Sequence, residues 1–184
     1  MAEMADQEEL IRLLGAVAHH DRIAFKRLYD RVSGRLFGLC HKVSGQRELA
    51  EEALQDAFVR IWHSAGDYHA ERGTPLSWMM TIARNRTLDL LRSRQSRATV
   101  SDDNAPLVED ERGGPLDATL RRDSAEVLSG CLEELSAVQR DSILLSYYRG
   151  LTHDQLADVL STPVGTVKSW IRRGLKSLKR CLEQ

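Results

Sequence analysis

Apolar residues recur at helical spacing along almost the whole chain, and no stretch alternates apolar and polar residues as a half-buried strand would. The pattern breaks at S-D-D-N-A-P-L-V-E-D-E-R-G-G-P-L-D, residues 101–117, where acid, proline and a Gly-Gly pair replace any repeating face. The sequence therefore predicts an all-α fold: a four-helix bundle over 1–97, a flexible acidic linker over 98–118, and a smaller helical domain over 119–184. At 184 residues and 42% apolar, the chain can fill two modest cores.

Local signals place the helix ends. A first helix is expected over about 7–19. Asp21 caps a second that keeps Ile23, Ala24, Leu28, Val32, Leu36, Leu39 and Val43 on one side until Gly45, and a third runs over about 46–65. Thr74 as N-cap with Pro75 at the first helical position opens a fourth that continues to about residue 95. In the second domain, Ser136 with Gln139 and Thr152 with Gln155 fit capping boxes, and Gly150 ends the helix between them. A last helix starts after a Thr162-Pro163 cap and continues to about Cys181, burying Val164, Val167, Ile171, Leu175 and Leu178.

Several function classes are excluded at this level. No apolar run approaches the roughly 20 residues of a membrane span, and the N-terminus lacks a basic segment followed by an apolar one, so a cytoplasmic protein without membrane insertion is expected. Cys40, Cys131 and Cys181 are too few and scattered for a disulfide framework; Cys40 and Cys131 sit among apolar neighbours and read as buried. The six histidines have no metal-ligand spacing, and no paired carboxylate, nucleophile elbow or phosphate loop is present. No catalytic residue, metal or cofactor is expected.

Charge is unevenly distributed although the net is −1. Five arginines face one aspartate between Arg84 and Arg97, and six Lys/Arg stand without an acid between Val164 and Arg180. The segment 98–118 holds six Asp/Glu against one Arg. Two basic segments around an acidic connector imply two nucleic-acid contacts whose combined field is held down by the rest of the chain.

Stepping 100° per residue along the fourth helix buries Leu76, Met79, Met80, Ala83, Thr87, Leu90 and Leu91, and leaves Trp78, Thr81, Asn85, Leu88, Asp89 and Arg92 on the opposite face with Arg84 and Arg86 beside it. An indole among amide and guanidinium groups is suited to single-stranded nucleic acid: bases stack on the ring and cations follow the phosphates. The other reading is that Trp78, in the first turn, packs on the neighbouring loop. In the third helix, Ala50, Ala53, Leu54, Ala57 and Ile61 form the buried stripe with Phe58 and Ala65 at its edge, whereas Val59 and Trp62 point outward among Glu52, Gln55, Asp56 and His63. They form either a protein-docking surface or a site that the first helix covers.

Thr152–Leu160, a tight Ser161-Thr162 connection and the basic last helix read as a helix-turn-helix. Thr166 and Ser169 can touch base edges or phosphates, the lysines and arginines mainly anchor the backbone, and Arg172 or Arg173 can pair with guanine; the other reading is a merely solvated basic helix. Ser161 stands where many such turns have glycine.

Three motifs in this order, A-L-Q-D-A-F-V-R-I-W, L-S-W-M-M-T-I-A-R-N-R-T-L-D-L-L-R and L-T-H-D-Q-L-A-D-V-L-S-T-P-V-G-T-V-K-S-W-I-R-R, resemble those of the extracytoplasmic-function (ECF, group IV) RNA polymerase sigma factors of the sigma-70 family. The resemblance covers nearly the whole chain outside the linker. It implies a transcription initiation factor with sigma domain 2 at 1–97 and sigma domain 4 at 119–184. Glu52, Gln55, Asp56, Phe58, Val59 and Trp62 would dock on the clamp helices of the largest polymerase subunit. Trp78, Arg84, Asn85, Arg86, Asp89 and Arg92 would hold the non-template strand of the minus-ten element, helped by the loop S-A-G-D-Y-H-A-E-R-G, which captures an extruded base in this family. Thr162, Thr166, Lys168, Ser169, Arg172, Arg173 and Lys176 would read the minus-thirty-five element. Implied partners are core RNA polymerase (clamp helices and flap), promoter DNA and a cognate anti-sigma factor. The alternative reading, a stand-alone helix-turn-helix transcriptional regulator, explains the C-terminal motif but leaves Trp78, Asn85 and Arg92 without a role.

Overall fold

The computed structural model describes residues 2–98 and 118–183, with side chains described for 5–95 and 126–183. The chain forms two compact units that divide at Val108/Glu109. The expected linker, 98–118, falls almost entirely outside the described residues.

The first unit contains α1 (Ala2–Ala18), α2 (Arg22–Ser44), α3 (Arg47–Ser64) and α4 (Pro75–Ala98), with two single 3₁₀ turns, Ala65–Asp67 and Ala70–Arg72, before α4. Asp21 caps α2 as expected, its Oδ1 accepting from the amides of Ile23 at 2.8 Å and Ala24 at 3.0 Å. Gly45, with φ 68°, ends that helix in the left-handed conformation that glycine adopts without a Cβ penalty. Thr74 Oγ1 accepts from the Ser77 amide at 3.2 Å, so α4 begins where the Thr-Pro pair predicts.

The four helices bury one core, with Leu10, Leu14 and Val17 from α1, Leu28, Val32 and Leu36 from α2, Ala53, Ala57 and Ile61 from α3, and Met79 and Ala83 from α4. Each large aliphatic side chain so buried contributes about 1.5–3 kcal/mol, which outweighs any of the caps. Polar groups in this core are satisfied locally: buried Thr87 donates to the Ala83 carbonyl at 2.8 Å, and the Cys40 thiol points at the same oxygen at 3.9 Å. Burial pushes the Cys40 thiol pKa up, so it stays protonated and unreactive.

Two residues depart from the expected stripes. Ile23 is 69% exposed, because it stands about 140° from Leu28 at 100° per residue. Leu88, expected on the outer face of α4, is buried. Its helix packs on α1, α2 and α3 together, so more than one side is covered.

The second unit contains α5 (Ala118–Glu133), α6 (Ala137–Tyr148), α7 (His153–Val159) and α8 (Val164–Leu182). Both capping boxes form. The Thr152 amide donates to Gln155 Oε1 at 2.9 Å while the Gln155 amide donates back to Thr152 Oγ1 at 3.2 Å, and Ser136 with Gln139 repeats the arrangement more loosely. Gly150 has φ 63°, consistent with the predicted end of α6.

One core cluster here is small, with Leu156, Ala157 and Val167 buried and Leu145, Leu151, Leu160, Val164, Trp170 and Ile171 packed around them, and Cys131 and Leu135 at the end of α5 are buried as well. The expected burial of Leu175 does not hold, since it is 49% exposed and Gly174 occupies the inner face instead. A Cβ on Gly174 would lie 2.7 Å from Ile143 Cδ1, so the missing side chain is what lets α8 lie against α6.

Cys40 and Cys131 are buried as expected, but the expectation of no disulfide is corrected. Cys131 and Cys181 form a disulfide between α5 and α8, their Cα atoms 5.8 Å apart, a span that a bridge accepts without backbone movement. The start of α8 shifts by one residue: Pro163 is its N-cap, and the Thr162 hydroxyl donates to the Leu160 carbonyl at 2.9 Å instead of capping the helix. Among the described residues no helix is long and apolar enough to cross a membrane.

Candidate nucleic-acid interface

The interface begins at the junction between the 3₁₀ turns and α4. Tyr68, between the two turns, donates its phenol to the Gly73 carbonyl at 3.1 Å, which folds the segment back toward the start of α4. Its ring meets Trp78 edge to face at 5.8 Å between centroids. Burial pushes the Tyr68 phenol up, keeping it a neutral donor at ordinary pH.

Trp78 is half-buried: one side packs on the bundle, as the loop-and-core reading expects, and another lines an open cleft. The cleft holds about 200 Å³ and is walled by Asp67, Tyr68, His69, Arg72, Trp78 and Thr81, among others. That volume lies below the roughly 300–1,000 Å³ of sites for drug-sized ligands. Tyr68 was not singled out from the sequence. Its signal is an aromatic in the loop ten residues before the indole, and only the fold brings the two rings together.

Farther along α4, Asn85 is exposed and its Oδ1 accepts from Arg84 Nη1 at 3.2 Å. Arg86 reaches across to α3, where Nη2 meets Asp56 Oδ2 at 2.5 Å, and its other terminal nitrogen lies 3.7 Å from Asp89. Asp89 also faces Arg92 at 3.9 Å. One turn beyond, Arg94 Nη2 contacts Glu52 Oε2 at 2.9 Å. Asn85, Asp89 and Arg92 are thus exposed, Arg84 and Arg86 are half-buried, and two of that helix's arginines, Arg86 and Arg94, are held by carboxylates of α3.

The docking residues on α3 divide. Glu52, Gln55 and Val59 are exposed, Val59 at 58%, and Asp56 and Trp62 are half-buried. Phe58 is buried, with Tyr29 packed on its ring at 4.6 Å and Phe25 edge-on at 6.0 Å, so Phe58, expected among the docking residues, is not itself at the surface. Trp62 is flanked by Phe25 at 5.0 Å and His20 at 5.4 Å. Its aromatic cover therefore comes from the α1–α2 connection, through His20, and from the first turn of α2, through Phe25. Tyr29 and Phe25 had no signal in the sequence beyond aromatic character, because their position depends on how α2 crosses α3.

In the second unit, Lys168, Arg172, Arg173 and Lys176 are exposed along α8, and Thr162, Thr166 and Ser169 are half-buried near its start. The Ser169 carbonyl accepts from Arg173 Nε at 3.4 Å. Ser161, in the turn between α7 and α8, has φ 47°, which explains why such a turn favours glycine. Among the described residues no group of three His, Cys, Asp or Glu side chains could hold a metal ion.

Comparison with known proteins agrees with this division. The Sigma-70 region 2 profile matches residues 28–97, and the Sigma-70 region 4 profile matches residues 125–178. The ECF RNA polymerase sigma factor SigK of Mycolicibacterium vanbaalenii is 38% identical over 175 residues, which cover 95% of this chain and 89% of that protein. The SigK of Mycobacterium ulcerans is 32% identical over 180 residues, covering 96% and 95%. Among solved structures, Rhodobacter sphaeroides SigE in complex with the anti-sigma ChrR is 29% identical with a TM-score of 0.46, covering 95% of this chain and 98% of that one. With two region profiles in order and full-length relatives above 30% identity, the chain belongs to the ECF RNA polymerase sigma factors of the sigma-70 family.

Proposed function

We propose that residues 1–97 act as sigma domain 2 and residues 119–184 as sigma domain 4, with 98–118 as the tether between them. In this reading Glu52, Gln55, Asp56, Val59 and Trp62 dock on the clamp helices of the largest polymerase subunit. The cleft beside Trp78 takes one unstacked base of the minus-ten non-template strand, and Arg84, Asn85, Arg86, Asp89 and Arg92 follow the neighbouring nucleotides. Thr162, Thr166, Lys168, Ser169, Arg172, Arg173 and Lys176 address the duplex of the minus-thirty-five element. The chain performs no bond chemistry of its own: it captures bases once they leave the stack, at a cost of a few kcal/mol each, and the polymerase makes RNA. It works in the cytoplasm, where a cognate anti-sigma factor covers the docking and DNA faces.

The observation that carries this reading is the cleft between Trp78 and the Tyr68 segment, which has the size and aromatic wall for a single base. Each DNA-binding module is small, and a single module buries only about 600–1,000 Å² on DNA. Polymerase, by fixing both modules, makes the second contact intramolecular. Open-complex formation on a cognate promoter with core polymerase tests the proposal. Trp78→Ala is expected to lower it by about 5- to 150-fold, from the roughly 1–3 kcal/mol lost with one base stack. Tight specific promoter binding by the chain without polymerase would favour a stand-alone helix-turn-helix regulator instead.

A further inference from the structure

The two surfaces just assigned are tied together by ion pairs: Glu52 of α3 holds Arg94 of α4 at 2.9 Å, and Asp56 of α3 holds Arg86 at 2.5 Å. Each carboxylate lies on the docking helix and each guanidinium on the nucleic-acid helix. A guanidinium fork binds a carboxylate and a phosphate by the same charge-assisted geometry, so the α3 acids occupy the positions that backbone phosphates would take. All four side chains are 30–49% exposed, which keeps these pairs exchangeable and prevents them from serving as a fixed strut. The carboxylates also lie where the proposed polymerase contact falls.

We propose that Glu52 and Asp56 are built-in competitors of DNA: in the free chain they occupy Arg94 and Arg86, and docking of core polymerase on the same carboxylates frees both arginines for phosphate. This rests on the assignment of α3 to polymerase and α4 to DNA. It adds that the two contacts are exclusive at these four side chains. The free protein thereby discounts its own affinity for single strands, and polymerase removes the discount.

The experiment uses the full chain and a labelled thymidine oligonucleotide, since phosphate contacts do not depend on sequence. The double variant Glu52→Gln with Asp56→Asn keeps side-chain size and removes the competing charge. It is expected to bind the oligonucleotide about 2- to 30-fold more tightly than the parent, the range that two exposed pairs account for. Its salt dependence should steepen by about 1.4 in log–log slope, roughly 0.7 per added phosphate contact on a single strand. The gain must vanish when Arg86→Gln and Arg94→Gln are added. It must also exceed that of Glu48→Gln with Glu51→Gln, which changes the net charge equally on the same helix without touching α4. Asp56→Asn alone, the milder change, is expected to give part of the gain. An unchanged affinity, a gain equal to that of the Glu48/Glu51 control, or a gain that survives loss of both arginines overturns the inference. Promoter-directed transcription by the parent chain with core polymerase is run in parallel: if it fails, the functional assignment is at fault, and if it succeeds without a gain in the double variant, only the competition idea falls.

Discussion

The two units reach stability by different routes. The N-terminal bundle depends on burial, with long aliphatic side chains from four helices sharing one core and its cysteine left as a free, sealed thiol. Among the described residues the C-terminal unit buries only Cys131, Leu135, Leu156, Ala157 and Val167 of its hydrophobic residues, and adds a disulfide, a glycine notch between α6 and α8, and capping boxes at the starts of α6 and α7. The difference teaches that a small helical unit, which leaves much of its basic last helix in solvent, replaces missing apolar area with covalent and steric constraints.

The strongest way to break this contrast is reduction. Opening the Cys131–Cys181 bridge, which spans 50 residues of sequence, is expected to lower the stability of the C-terminal unit by about 2–4 kcal/mol and leave the bundle unchanged. Urea unfolding followed at Trp170, in a chain with Trp62 and Trp78 replaced by phenylalanine, separates the units. Iodoacetamide should label two thiols after reduction of the folded chain, since buried Cys40 stays protected. Equal weakening of both units would show that the bridge is not confined to one of them.

Next in size, Gly174→Val forces a branched side chain against Ile143 and Gln139 and is expected to cost the C-terminal unit about 1–3 kcal/mol. The same unfolding assay reads it. A neutral result would mean that α6 and α8 separate easily, and the constraint argued here would be lost. The smallest effect concerns two non-glycine residues in the left-handed region, one per unit: Ser161 at φ 47° and His20 at φ 61°. Ser161→Gly is expected to gain about 0.5–1 kcal/mol by relieving the backbone. His20→Gly is expected to gain less, because the His20 ring packs 5.4 Å from Trp62 and that contact is lost. Equal gains would show that the ring contact contributes nothing.

What the sequence made legible follows the range of the interactions involved. Asp21, Thr74, Ser136 and Thr152 were readable as caps because a cap is decided within three or four residues. Two units and an all-helical fold were readable from one period and one break in it. Leu88 was misplaced because a helix packed on three neighbours has no clean outer face. Leu175 was misplaced because glycine carries no apolar signal, so the true centre of the α8 stripe at Gly174 was invisible to a count of hydrophobic residues. The disulfide and the Tyr68–Trp78 pair are contacts between separate segments, and only the tertiary structure sets their spacing.

The bond from the Tyr68 phenol to the Gly73 carbonyl closes a short lariat in the chain ahead of α4. A slack loop would have to be frozen when a nucleotide arrives, at about 1–2 kcal/mol for every backbone unit immobilised. Here that entropy is surrendered once, during folding, so that under the proposed function a base would meet a wall already set in place.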